Sequence, residues 1–231
     1  MKPPHLKGSY EFNREVARMN RGEFDAAGVK VISFVGPAGS GKSSLIECVL
    51  LQIAPPVRAG LIVGNRAADR QTARFCRHGY PAVSVITENL EAHHVREALP
   101  KLNLAALDVL FIEANCNNLS PVEFDLGQHL RIGVFSAAGG DDQVHEFPFL
   151  VQESDLVLLT KIDLLPFVSF DLNVFHQNIR RLKPDLSLLP LSVHSGEGIP
   201  QLLGWIRSSL TNVEEGRSPQ SLGPFLSSSK G

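Results

Sequence analysis

Short apolar runs recur along the chain, each followed by a more polar stretch with helical spacing. Val31-Ile32-Ser33-Phe34-Val35 is the first, and residues 57–64, 82–87, 107–113, 130–137, 156–160 and 188–192 follow it. Runs of this length, rich in Val, Ile, Leu and Phe, predict strands buried on both faces. Between them the spacing predicts helices. One opens on Lys42 and continues through Leu45, Ile46 and Val49; a polar one over 65–78 ends at Gly79; and 90–99 is stopped by Pro100. Two more are predicted over 173–182 and 199–210. Ahead of the first strand, Phe12, Val16, Met19 and Phe24 recur among Arg and Glu. That spacing predicts one surface helix, or two short ones, packed on the edge of the domain over 9–26. Apolar strands alternating with helices imply an α/β fold, a mostly parallel sheet with helices on both faces. The expected organisation is one domain over 1–212, with 1–27 as an N-terminal helical segment. A Ser/Gly/Pro-rich tail over 213–231 is expected to be disordered.

Composition narrows the function classes. A chain of 231 residues suits one α/β domain with a sizeable core. Hydrophobic and charged contents of 43% and 20% are those of a soluble globular protein. A net charge of −2 gives no electrostatic case for nucleic acid as a ligand. No apolar run approaches about 18 residues, so no membrane span is expected. Met1-Lys2-Pro3-Pro4-His5 carries no apolar core of a secretory signal. Cys48, Cys76 and Cys116 are odd in number, widely spaced and without a Cys-x-x-Cys pair, which fits a reducing cytoplasm and no disulfide framework.

The first strand runs into Gly36-Pro37-Ala38-Gly39-Ser40-Gly41-Lys42-Ser43-Ser44, the Gly-x4-Gly-Lys-Ser spacing of a P-loop between strand and helix. Gly36, Gly39 and Gly41 let successive backbone N–H groups turn inward on a phosphate, and the helix N-terminus behind them adds unpaired donors. Lys42 is expected to reach the β- and γ-phosphates, with Ser40 and Ser44 in the same cradle, and the Ser43 hydroxyl to ligate Mg²⁺. Two later stretches bear on the base. Thr160-Lys161-Ile162-Asp163 follows a buried strand. A carboxylate there can accept from both N1–H and the 2-amino group of guanine, whereas adenine would leave it unsatisfied. The aliphatic stem of Lys161 can lie over the base plane. Ser192-Val193-His194-Ser195-Gly196-Glu197-Gly198 follows the next strand, where a loop could cap guanine through backbone N–H groups. A P-loop kinase or other ATP-dependent protein is the competing class, and Asp163 in its setting argues against it.

With these motifs in place, the chain resembles the nickel-inserting accessory GTPases: the hydrogenase nickel-incorporation (HypB-type) family first, the urease accessory GTPases next. The likeness runs from about Glu11 to Leu210, and its most specific part is Leu110 to Gly127, reading Ile-Glu-Ala-Asn at 112–115 and Phe-Asp-Leu-Gly at 124–127. Gly140-Asp141-Asp142, Ser154 to Val157, and Pro81-Ala82 after Gly79 match as well. The resemblance implies that Glu113 ends the Walker B strand and holds Mg²⁺ through water. It also implies a nucleotide-dependent homodimer, and delivery of Ni²⁺ to a client metalloenzyme or to other maturation factors.

The departures gather on the switch and metal elements. The family's Gly-Asp after the second strand is here Gly64-Asn65, an amide that can position water but cannot act as a base. Asp69, four residues on, is the candidate substitute. The family's Cys-His pair after the third strand is replaced by Thr87-Glu88-Asn89-Leu90-Glu91-Ala92, and Ser120 stands at its second cysteine position. Thiolate and imidazole suit Ni²⁺, so the remaining candidates are Cys116 and Glu88, with Glu91, His93 and His94 nearby. His93 and His94 are adjacent, so on a helix they are expected to point about 100° apart. No lysine stands at Ala38 to reach a partner's nucleotide. Cys48 is expected in the core and Cys76 at the surface. Arg66 and Arg70 are the candidate arginine fingers. Two function classes follow: a slow Mg²⁺-dependent GTPase serving metallocentre assembly, with Lys42, Glu113 and Asn65 or Asp69 at its centre, and a GTP-gated scaffold that neither hydrolyses nor binds nickel.

Overall fold

The computed structural model describes residues 4–53, 56–116 and 125–211. Seven strands form one sheet: β1 (Lys30–Gly36), β2 (Ala59–Gly64), β3 (Ala82–Val85), β4 (Val109–Asn115), β5 (Leu130–Ser136), β6 (Leu156–Thr160) and β7 (Ser187–Pro190). Their order is β3-β2-β4-β1-β5-β6-β7, and every neighbouring pair is parallel. The helices are α1 (Pro4–Ala27), α2 (Lys42–Ile53), α3 (Ala68–Arg77), α4 (Ala92–Ala98), α5 (Gln143–Glu146), α6 (Pro148–Gln152), α7 (Leu172–Leu182) and α8 (Ile199–Thr211).

Alternation along the strands divides the core in two. Val31, Val35, Leu110 and Ile112 point to one face, and Ile32, Phe34, Val109 and Phe111 to the other. The first core is covered by α1, α4, α5, α6 and α7, the second by α2, α3 and α8. Both faces are therefore dry, which is why the strands carry little polar alternation. Phe34 and Phe111 meet edge to face, with ring centroids 5.6 Å apart, directly under the strands that carry the site. Among the described residues no helix is long and apolar enough to cross a membrane.

Several predicted bounds shift. The strand expected over 107–113 is β4, Val109–Asn115, so Glu113 lies two residues inside the strand rather than at its end. The predicted 90–99 helix begins at Ala92, because Glu91 is its N-cap: its side chain accepts from the backbone of His94, whose Nδ1 in turn accepts from the Glu91 N–H at 3.2 Å. The short helices α5 and α6, broken at Phe147-Pro148, follow no clear period and were missed. The disordered-tail expectation, Ser120 and most of the Phe-Asp-Leu-Gly approach fall outside the described residues.

The N-terminal segment is one helix, the first of the two expected forms, and it lies beside α4 and against β1. Polar side chains stitch it there. Asn20 Nδ2 donates to the carbonyls of Ala92 (2.8 Å) and Leu126 (3.2 Å), and Asn13 Nδ2 donates to the Asp125 carbonyl at 2.9 Å. Arg21 donates to the Gly127 and Gln128 carbonyls. Gly127 sits at φ +89°, and a Cβ there would stand 2.5 Å from the Ala17 carbonyl oxygen. Gly127→Ala is therefore expected to destabilise the protein by about 1–3 kcal/mol in denaturant titrations, the cost of a left-handed residue plus this close approach. Amide exchange should quicken first in α1 and 125–129. Unchanged stability would show that α1 is not held by this contact.

Candidate nucleotide and metal site

The strand order reverses its direction of growth around β1: β4 and β2 lie on one side of it, β5 on the other. Ligand crevices in such sheets open at the carboxyl ends of strands at this point. The glycine-rich loop after β1 and the end of β4 both lie there. They line a cavity of about 720 Å³ together with Asn65, Arg66, Gln71, Glu88 and Lys161.

The loop is fixed by close backbone approach. A Cβ on Gly36 would stand 2.2 Å from the Val134 carbonyl oxygen of β5, and Gly39 and Gly41 take φ of +80° and +87°. Lys42 is buried at 4% exposure, and its Nζ donates to the carbonyls of Gly36 and Pro37, both at 2.8 Å, and to Ser40 Oγ at 3.3 Å. Burial brings its pKa down to about 8, opposed by the Glu113 carboxylate. The amine is thus folded back into its own loop by three acceptors, on a stem long enough to redirect it.

At the β4 side four side chains close a ring. Ser43 Oγ donates to Glu113 Oε1 at 2.7 Å, and Gln71 Nε2 donates to Ser43 Oγ at 2.8 Å. Asn65 Nδ2 donates to Gln71 Oε1 at 2.6 Å and approaches Glu113 Oε1 at 3.4 Å. Glu113 is 2% exposed, and its Oε2 is buried with no hydrogen-bond partner among the described residues. Burial raises the Glu113 pKa, with the Ser43 hydrogen bond and the Lys42 charge acting against it. A hydroxyl oxygen beside a carboxylate with one unsatisfied buried oxygen is the donor set a hard cation such as Mg²⁺ takes. The residues present fit that ion.

Asp69, the expected substitute for the family's aspartate, is exposed on α3 and does not line the cavity. Gln71 is there instead, and the sequence reading passed over it. The helical period would have found it: from buried Ala68, positions i+3 and i+7 are Gln71 and buried Phe75, while Asp69 and Arg70 fall on the solvent side. Arg66 lines the cavity, but it is ion-paired to Glu88.

The base-reading candidates form a second group, joined to the first through Lys161. Thr160 Oγ1 donates to the Ser40 carbonyl at 2.7 Å, and Lys161 Nζ donates to the Gly39 carbonyl at 2.8 Å. Lys161 has φ of +58°, the left-handed region, where it is alone among described non-glycine residues. Asp163 Oδ1 accepts from Ser192 Oγ at 2.5 Å, while Ser192 Oγ itself accepts from the backbone N–H groups of His194 and Ser195, both at 3.1 Å. The two loops are thereby in register, with Val193 and His194 exposed at the rim.

The nickel candidates are not gathered. Among the described residues no three His, Cys, Asp or Glu side chains come within reach of one ion. Cys116 is buried, and burial pushes its thiol up to about 12, far from the thiolate a soft metal needs. Glu88 faces Arg66. His93 and His94 do not splay by the expected angle: their rings lie 3.9 Å apart, His94 occupied as a cap and His93 facing Glu91 at 3.4 Å. Cys76 is exposed and Cys48 packs partly buried against the second core, as expected.

The family model described as CobW/HypB/UreG, nucleotide-binding domain, matches residues 30–190. The probable hydrogenase maturation factor HypB of Methanocaldococcus jannaschii is 35% identical over 205 residues, covering 87% of this chain and 93% of that protein. The crystal structure of hydrogenase maturation factor HypB from Archaeoglobus fulgidus superposes with a TM-score of 0.80 at 28% identity, over 87% of this chain and 99% of that one. HypB from Helicobacter pylori, solved in complex with nickel, shares the fold at a TM-score of 0.80 and 22% identity, over 86% of this chain and 94% of that one. The α/β P-loop fold, the matched span and the relatives agree, and the chain belongs to the CobW/HypB/UreG family as a HypB-type member.

Proposed function

We propose that this protein is a Mg²⁺-dependent GTPase that serves as an accessory factor in hydrogenase maturation, with nickel as its cargo. The observation that carries the reading is the clasp of Thr160 and Lys161 on the carbonyls of Ser40 and Gly39, which sets a base-reading loop and a phosphate loop in one frame. In this reading the P-loop amides and Lys42 bind the phosphates, Ser43 and Glu113 hold Mg²⁺, and Asp163 with the Ser192–His194 loop reads guanine. When bound, Mg²⁺ would supply charge for the developing negative charge on the phosphates. Asn65 offers a neutral amide to the attacking water and cannot take its proton. Among the described residues lining the cavity, Arg66 is the arginine, and it is ion-paired to Glu88. Intrinsic turnover is accordingly slow, and the reading assigns its acceleration to a client, a second maturation factor or a second copy of the chain. The relatives named as hydrogenase maturation factors support that setting, and a cytoplasmic location goes with it. The non-hydrolysing scaffold rests on the substitutions alone and draws no support from the relatives.

The decisive assay is steady-state GTP turnover with Mg²⁺ beside a Lys42→Ala control. Loss of a charged donor to the transferring phosphoryl group predicts a fall of about 10²–10³-fold. GTP bound with no turnover above the control would overturn the enzyme reading. A second measurement addresses the cargo. Thiol labelling of the native protein near pH 8 should modify exposed Cys76 quickly and Cys116 only on unfolding, with no change on adding Ni²⁺. Rapid labelling of Cys116 that Ni²⁺ suppresses would instead make it a metal ligand.

A further inference from the structure

One backbone N–H fixes the direction of every hydrogen bond in the ring of Ser43, Glu113, Asn65 and Gln71. The Ala67 N–H donates to Asn65 Oδ1 at 2.7 Å, which makes the other arm of Asn65 the donor. The Gln71 atom facing it at 2.6 Å must then be the carbonyl oxygen, so Gln71 turns its NH₂ on Ser43 Oγ at 2.8 Å. The Ser43 proton is left to go to Glu113 at 2.7 Å. Two N–H donors, from Gln71 and Asn65, are thus aimed at Ser43 Oγ and Glu113 Oε1. These are the oxygens a cation would take. An amide hydrogen and a cation carry the same sign of charge, so they compete for the lone pairs of these oxygens.

Two details bear on how the ring closes. Both bridging residues are neutral amides; a carboxylate at 65 would face the Glu113 carboxylate at about the 3.4 Å now spanned by the Asn65 amide. The backbone under Gln71 is also anchored. Phe75 is buried, and Arg74 on the same helix is ion-paired to Glu47 of α2. Release of Ser43 therefore needs only rotation of the Gln71 side chain, with α3 in place.

We propose that Gln71 gates the Mg²⁺ site, keeping Ser43 and Glu113 engaged with amides until bound nucleotide phosphates bring the cation in. The inference rests on the assignment of Ser43 and Glu113 to Mg²⁺ made above and adds a positioning residue to it. Gln71 competes with the cation for Ser43 Oγ, so removing it favours the metal.

The test is a Mg²⁺ titration of the binding of a fluorescent, non-hydrolysable GTP analogue by the full chain, for wild type, Gln71→Ala, Gln71→Leu and Ser43→Ala. The leucine variant fills the same space without a donor, so a packing defect in the alanine variant is recognised. Loss of one competing hydrogen bond predicts that the half-saturating Mg²⁺ concentration falls about fivefold in both Gln71 variants. Affinity in excess chelator should stay at the wild-type value, which a merely structural role would not preserve. An unchanged or higher Mg²⁺ requirement in both variants, with nucleotide still bound, overturns the gate alone. Mg²⁺ dependence that survives in Ser43→Ala overturns the metal assignment, and the gate falls with it.

Discussion

Two carbonyls of the phosphate loop, those of Gly39 and Ser40, are held by side chains arriving from a strand two places away in the sheet. Most of what the site can do depends on that clasp. The loop's glycines permit its shape but leave it free to take others, since glycine loses more conformational freedom on ordering than any other residue. The buried Thr160 hydroxyl and the Lys161 amine remove that freedom from the β6 side. Lys161 in turn adopts the left-handed conformation, a strain of about 1–3 kcal/mol that persists only where the surroundings over-determine it. Strain at this one residue and order in the loop are two sides of the same contact. Asp163, two residues on, inherits its position from it.

Desolvation sets the second condition. Lys42, Glu113 and Cys116 are buried around the ends of β1 and β4, with Glu113 and Cys116 both shifted toward their neutral forms and Lys42 brought to about 8. Lys42 and Glu113 each favour the other's charged form, against the burial that opposes both charges. Neutral amides at 65 and 71 add hydrogen bonds without adding charge. Cys116 has no such partner set. Its backbone N–H donates to the Gly36 carbonyl at 2.9 Å, and its thiol helps to fill the first core under the loop. A small residue in that position serves packing without any metal.

Much of this was legible in the chain. The strands announced themselves because a sheet covered on both faces needs no polar alternation, and the P-loop and Thr-Lys-x-Asp spacings carried their chemistry with them. The misses have physical causes. Asp69 was nominated because it has the right charge, but helical geometry turns it outward and brings Gln71 in. Glu113 read as the last residue of its strand because the apolar run stops there, whereas backbone pairing with β1 continues to Asn115. What α1 docks against was not legible, because Asn13, Asn20 and Arg21 hold it through backbone carbonyls, and such polar contacts leave no hydrophobic period to read. The paired rings of His93 and His94 follow from a cap that only the fold reveals.

In the proposed function, one frame reads both guanine and its phosphates. Competition binding of GTP, ITP and ATP against a fluorescent guanine nucleotide tests it most directly, because ITP differs from GTP only in lacking the 2-amino group. Asp163 as the reader predicts ITP weaker than GTP by about tenfold or more, and ATP weaker still by at least about a hundredfold, since a half-buried carboxylate left without its donors is penalised. Equal affinity for ATP and GTP would contradict the account and leave a phosphate loop without a base-reading partner.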